Sequence, residues 1–155
     1  MRPDRLTIGP FLVLLASLGA CESPLSPYES LALSQAESRW AARSFADYVF
    51  ETRTSCFCPD VVTQWARVEV AGGQVARVTV VATGLEVTAA ERGYFRTVEQ
   101  VFASIRAVSR EDWVKDVEVQ FDRDLGFPTF VSFTPKPNIL DAGAASYLRN
   151  AGPIP

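Results

Sequence analysis

Cys56-Phe57-Cys58-Pro59 is the place in this chain where residue types and spacing could do redox or metal chemistry. In an extended strand the two Cα atoms would stand about 6.6 Å apart with side chains parallel. A disulfide needs Cβ atoms about 3.8 Å apart. The bond therefore requires a turn at Phe57, which Pro59 constrains, by favouring an extended Cys58, without forbidding it. Outside the cytoplasm neighbouring thiols tend to oxidise, so a local bridge between Cys56 and Cys58 that pins the loop is the leading expectation. Three other readings stand beside it. The pair could be labile or catalytic, since a strained bond is more oxidising. It could supply two ligands to copper or zinc, or it could be two buried free thiols.

Histidine is absent from all 155 residues. That removes the Ser-His-Asp triad, the Cys-His dyad and every histidine-bearing zinc site, together with the commonest general base at neutral pH. Carboxylates remain, but no two are set apart into acid and base roles. No catalytic residues, metal ligands or cofactor are therefore expected, and the chain reads as non-enzymatic. Asp122-Arg123-Asp124-Leu125-Gly126 places carboxylates two apart ahead of a glycine, as a calcium loop does. It lacks the other ligands and the closing glutamate, so a hairpin turn accounts for it better. Glu111, Asp112, Asp116 and Glu118 read as a solvated acidic face. Trp65 falls on the outward parity of its strand; it either belongs to a partner-binding patch or is covered by a terminal segment.

The third thiol poses a different question. Met1-Arg2-Pro3-Asp4-Arg5 is a net-positive start, Phe11 to Ala16 is an apolar core too short to span a bilayer, and Leu18-Gly19-Ala20 precedes Cys21. The arrangement resembles the signal peptide of a bacterial lipoprotein. That resemblance implies cleavage between Ala20 and Cys21, diacylglycerol on the Cys21 sulfur, and acylation of the new amino terminus. Plain secretion is the alternative; a core helix is disfavoured by Pro10 and by the prolines that follow, Pro24 and Pro27. Glu22, rather than aspartate, after Cys21 looks more like sorting to the outer membrane, facing the periplasm, than retention in the cytoplasmic membrane.

Charge narrows the partners. The chain holds 15 basic and 18 acidic residues; cleavage before Cys21 would remove Arg2, Arg5 and Asp4 and leave 13 against 17, a net charge of −4. Lysine occurs only at 115 and 136, and the arginines are scattered singly. Without clustered cations neither nucleic-acid binding nor electrostatic adhesion to anionic lipid is expected. The expected partners are the membrane, through the lipid on Cys21, and a protein of the envelope.

The elements that must position these residues can be read from periodicity. Residues 21–33 mix Ser, Pro and Glu with a few apolar positions and read as a lipidated cysteine and tether, with a docked strand as the alternative. Ser34-Gln35-Ala36-Glu37 has the form of a capping box, predicting a helix from about Gln35 to Arg43 anchored by Trp40. From Tyr48 to Cys58 the pattern alternates, which predicts a half-buried strand carrying both thiols on its buried side. Ala66 to Val70 and Val75 to Ala82 alternate around Ala71-Gly72-Gly73-Gln74, a hairpin. Thr97-Val98-Glu99-Gln100 starts a helix running to about Ser109 with Val98, Val101, Phe102, Ile105 and Val108 at helical spacing. Val117 to Phe121 and Phe127 to Thr134 form a second hairpin, ended by Pro135 and Pro137.

The predicted fold is α+β: a five-stranded, mainly antiparallel sheet in the order α-β-β-β-α-β-β, with two helices on one face. Residues 1–20 are the expected signal peptide, 21–33 the tether, 34–150 a single domain and 151–155 a frayed tail. Tyr147 and Leu148 are candidates for docking on the domain.

Four runs carry a wider resemblance. Trp40 and Tyr48 precede Cys56-Phe57-Cys58-Pro59; then come Val68-Glu69-Val70-Ala71-Gly72-Gly73-Gln74-Val75, Tyr94-Phe95-Arg96-Thr97-Val98-Glu99-Gln100-Val101-Phe102, and Phe121-Asp122 with Gly126-Phe127-Pro128-Thr129. From Trp40 to Thr134 the chain resembles a bacterial lipoprotein family whose domain has no known function. It departs at Phe127, where tyrosine is expected, and in the tail, where Asp141 stands nearly alone in place of an acidic cluster. The resemblance implies an envelope location and this order of elements. It brings no catalytic residues.

Overall fold

The computed structural model describes residues 25–139 and 143–155; Cys21 and the expected signal peptide lie outside them. The elements among the described residues run α1 (Pro27–Ala41), β1 (Tyr48–Ser55), α2 (Asp60–Thr63), β2 (Ala66–Ala71), β3 (Gln74–Val80), α3 (Ala89–Arg92), α4 (Val98–Val108), β4 (Val114–Phe121), β5 (Pro128–Pro135) and β6 (Ala144–Pro153). The strands form a single antiparallel sheet in the spatial order β3-β2-β1-β6-β5-β4. The class is α+β as expected, with six strands rather than five and two further short helices.

Both expected hairpins are present. Gly72 and Gly73 sit at φ 56° and 74°, the pair of left-handed residues a two-residue hairpin turn needs, and join β2 to β3. The β4–β5 turn is closed by the Asp122 N–H donating to the Phe127 carbonyl at 2.9 Å. Helix α4 starts where its capping box places it: the Thr97 hydroxyl accepts from the Gln100 amide, and the Gln100 side chain accepts from the Thr97 amide. Val98, Phe102 and Ile105 are its buried stripe.

The first helix starts earlier than expected. Ser26 and Glu29 form the capping box, so α1 begins at Pro27 and takes up residues 27–33 of the predicted tether. Ser34 lies inside the helix, its hydroxyl donating to the Ser30 carbonyl, and Glu37 faces Arg106 of α4. Capping-box spacing is also compatible with a helix interior. What decides is the Ser26-Pro27-Tyr28-Glu29 run upstream, which carries the same box with proline at the first helical position.

The larger correction is β6. The predicted frayed tail begins at residue 151, yet Val49 pairs with Gly152 and Tyr48 with Pro153. This strand lies in the middle of the sheet and joins the β1–β2–β3 meander to the β4–β5 hairpin. Leu148 is buried in the core from it. The first strand ends at Ser55, one residue before the thiols it was expected to carry.

Core residues come from one face of the sheet and the facing stripes of α1 and α4. Tyr48, Phe50, Val68, Val78, Val117 and Val131 meet Leu33, Ala36, Trp40, Val98, Phe102 and Ile105 in a continuous cluster. Both long helices thus cover the same face, and among the described residues no helix covers the other.

Candidate functional site

Where β1 ends, the chain bends through Cys56, Phe57 and Cys58 before Pro59 caps the short helix α2. This is the turn at Phe57 that a bridge requires. The two sulfur atoms are in contact, with Cα atoms 5.3 Å apart. Phe57 projects into solvent, 93% exposed. Beside the pair lies a cleft of about 230 Å³ lined by Arg53, Thr54, Ser55, Cys56, Thr63 and Tyr147. Among the described residues no group of three or more Cys, Asp or Glu side chains gathers as a metal site would need.

Arg53 carries the cleft onto the open face of the sheet. Alternation along the strands puts Glu51 and Arg53 on this face of β1, and antiparallel register extends it across neighbouring strands. Arg53 pairs with Tyr147 of β6, Tyr147 with Phe130 of β5, and Phe130 with Gln120 of β4. One row over, Arg67, Glu51 and Arg149 lie in register on β2, β1 and β6. Arg149 Nε donates to Glu51 at 2.8 Å, and Asn150, in the left-handed region at φ 55°, adds a 3.2 Å hydrogen bond. The Arg149 guanidinium lies 3.8 Å over the Trp65 ring, and Arg53 lies 5.1 Å from that ring and 4.9 Å from Tyr147. Trp65 is therefore half covered by cations from β1 and the C-terminal strand.

The other face holds its polar groups in a clamp. Glu99, in the first turn of α4, accepts from Trp40 Nε1 at 2.8 Å, Tyr48 Oη at 2.6 Å and Arg43 at 2.8 Å. Tyr48 Oη in turn accepts from the Val98 amide at 2.9 Å, at the N-terminus of α4. Arg43 stacks 4.2 Å over Trp40 and donates to the Trp40 carbonyl. Burial, and then the hydrogen bond to Glu99, hold the Tyr48 hydroxyl well above the ordinary tyrosine value. Burial works against ionisation of Glu99, but hydrogen bonds from Tyr48 and Trp40 outweigh it and leave its carboxyl below the usual range. A carboxylate held ionised by three donors, beside a phenol held neutral, is built to fasten α1 and β1 to α4 rather than to exchange protons at neutral pH.

Two other places were candidates for chemistry. Asp122 Oδ1 accepts from the amides of Asp124 and Leu125 at 3.0 and 2.7 Å, so this carboxylate caps the hairpin turn. Between the sheet and α4 a cavity of about 90 Å³ is lined by Phe50, Thr54, Phe95, Ser104, Ser146 and Leu148, among others. It falls well below the roughly 300 Å³ at which ligand pockets ordinarily begin.

The structure thus brings Cys56 and Cys58 together, places Arg53 and the Trp65 face beside them, and sets Asp122 apart in its turn. Neither the Glu99–Arg43 clamp on the helix-covered face nor the Tyr147–Arg149 group on the open face is singled out by the sequence, because partners 51 to 98 residues apart in the chain leave no local spacing to find.

Residues 32–153 match the model of a family of unknown function, DUF6174, and the chain belongs to that family. The match begins within α1 and ends on the last residue of β6, so it takes in the whole sheet. No curated protein and no solved structure matches the chain.

Proposed function

We propose that this protein is a lipid-anchored component of the bacterial envelope, cleaved before Cys21 and acylated there, whose single domain is a non-enzymatic binding module. The observation that carries it is Leu18-Gly19-Ala20-Cys21 behind a short apolar run and a net-positive start. Glu22 favours the outer membrane, with the domain facing the periplasm. The thioether lipid on Cys21 is the proposed attachment to the membrane. The test is metabolic labelling with a palmitate analogue, together with mass measurement of the mature amino terminus. Incorporation that disappears in Cys21→Ala supports the anchor; a Cys21→Ala chain that is still processed and partitions into detergent overturns it.

The binding surface of this reading is the open sheet face, where Arg53, Tyr147, Phe130 and Arg149 are presented without a covering helix. A photo-crosslinking residue at Arg67, in native envelopes, should trap a discrete envelope protein. The same probe at Ala103, exposed on α4 on the helix-covered side, should not, and equal yields from both would remove this face as the binding surface.

In this reading Cys56 and Cys58 form a structural disulfide in an oxidising compartment. Alkylation without reduction should leave both unlabelled, while labelling of both excludes the bridge. The contact of the two sulfurs beside a solvent-open cleft favours one second reading, thiol-redox or soft-metal handling. A reduction potential as high as those of oxidising catalysts, or stoichiometric copper uptake by the reduced protein, would select it.

A further inference from the structure

We infer that the N-terminal end of α1 is a membrane-contacting surface, with Tyr28 and Leu31 seated in the lipid headgroup region. The inference rests on the anchor reading of Cys21 and deepens it.

The argument begins with chain length. Leu25 is buried in the domain core, which fixes where the chain leaves the fold. It stands four positions after Cys21, and a chain reaches at most about 3.6 Å per residue, so their Cα atoms lie within about 14 Å of each other by any path. A domain of this size has a radius of gyration of about 14 Å. Such a short link cannot hold the domain clear of the surface in which the lipid sits; the exit end of α1 must stay near the headgroups.

That end carries two large apolar side chains on its outward side. Leu33, Ala36 and Trp40 turn the inner stripe of α1 to the core, which leaves Tyr28 and Leu31 on the outer side, 80% and 57% exposed. Next to Tyr28, a groove of about 230 Å³ is lined by Ala32, Leu33, Ile105, Val119 and Phe121. A tyrosine and a leucine one turn apart, beside an apolar groove and close to an acylated residue, suit the boundary between headgroups and acyl chains. Charge does not supply the attraction, because Glu29 lines the groove and Glu22 follows the anchor. The contact is hydrophobic, and the expected occupant is therefore a bilayer rather than an acidic partner.

The test uses the lipidated protein reconstituted into phosphatidylethanolamine–phosphatidylglycerol vesicles, with or without brominated acyl chains. Tyr28→Trp and Phe57→Trp both replace highly exposed residues, one at the proposed contact and one in the cysteine loop that follows β1. The emission added by Tyr28→Trp should be lost to brominated lipid, and that loss should disappear when Leu31→Asp is added. The emission added by Phe57→Trp should persist. Equal quenching at both positions, or none at Tyr28→Trp, overturns the inference.

The mass of the amino terminus in the same preparation reports separately on the anchor. If Cys21 carries no lipid, the anchor reading fails, and the docking surface is read in a second arm. There the chain from Cys21 carries a preceding hexahistidine, its sole histidines, and is held on nickel-chelating vesicles of the same composition. Loss of emission at Tyr28→Trp in that arm supports the surface by itself, and persistence overturns it. A spectral shift of the tagged Tyr28→Trp chain that grows with protein concentration in the absence of lipid assigns the surface to a second copy and also overturns the inference.

Discussion

Glu99 shows what a single side chain can settle in this domain. Its carboxylate takes hydrogen bonds from Trp40, Arg43 and Tyr48, and so ties the end of α1, the following loop and the start of β1 to the first turn of α4. Because the Glu99 side chain is 46% exposed, solvent screens much of this, and Glu99→Gln should cost about 1 kcal/mol in urea unfolding at pH 7, toward the low end for bonds to a charged group. The sign of the pH dependence follows from the direction of the shift. A carboxyl held below its unfolded value contributes stability that is fully present above that unfolded value, near 4.3, and is lost as pH falls through the folded one. The wild-type advantage over Glu99→Gln should therefore close below about pH 4. Tyr48 runs the other way: its hydroxyl is raised, so the stability linked to it is whole below the unfolded value near 10 and is lost as pH climbs toward the folded one. Wild type should lose ground against Tyr48→Phe above about pH 10. An acid-side gap that stayed constant with pH would mean that Glu99 does not work through its charge.

At the scale of elements, the Gly126-Phe127-Pro128-Thr129 run acquires a physical reason. Gly126 sits at φ 83°, and a Cβ there would strike the Ala36 carbonyl oxygen of α1 and approach the Arg39 Cβ to 2.9 Å. The hairpin turn rests directly on the helix backbone, and Phe127 then packs edge-on 6.2 Å from Trp40. Gly126→Ala should destabilise by about 3 kcal/mol, left-handed strain plus displacement of a helix. Gly72→Ala meets nothing within 4 Å and should cost only the strain, about 1 kcal/mol. Equal shifts in thermal midpoint for the two would remove the helix contact as the reason for glycine at 126. The hairpins themselves were legible because paired glycines and strict alternation act within ten residues. The start of α1 was not, since Pro24 and Pro27 suggested a tether more strongly than Ser26 and Glu29 suggested a cap. The cysteine turn was legible only as a condition, because spacing alone does not say whether the backbone bends at Phe57.

The whole molecule depends on the strand least visible in its sequence. Ala144-Ala145-Ser146-Tyr147-Leu148-Arg149-Asn150-Ala151 is poor in β-branched residues and carries an asparagine in the left-handed region, so local propensity argues against a strand. Its partners override that preference. β1 and β5 flank it on both sides, Leu148 enters the core, and Thr54 hydrogen-bonds Ser146 at 3.0 Å. β6 also completes the open face, since Tyr147 and Arg149 come from it, so the candidate binding surface and the integrity of the fold share an element that sequence periodicity does not reveal. Deleting residues 144–155 would leave two hairpin systems without a common strand, with β1 and β5 as bare edges and the helix-side core open where Leu148 sits. That chain should lose cooperative unfolding and near-ultraviolet dichroism. Deleting only Ile154 and Pro155, which lie beyond the last paired residue, should leave the urea midpoint unchanged within error. A chain ending at Gly143 that still unfolds in one sharp transition would show that the two halves meet without β6, and the central place of that strand would have to be abandoned.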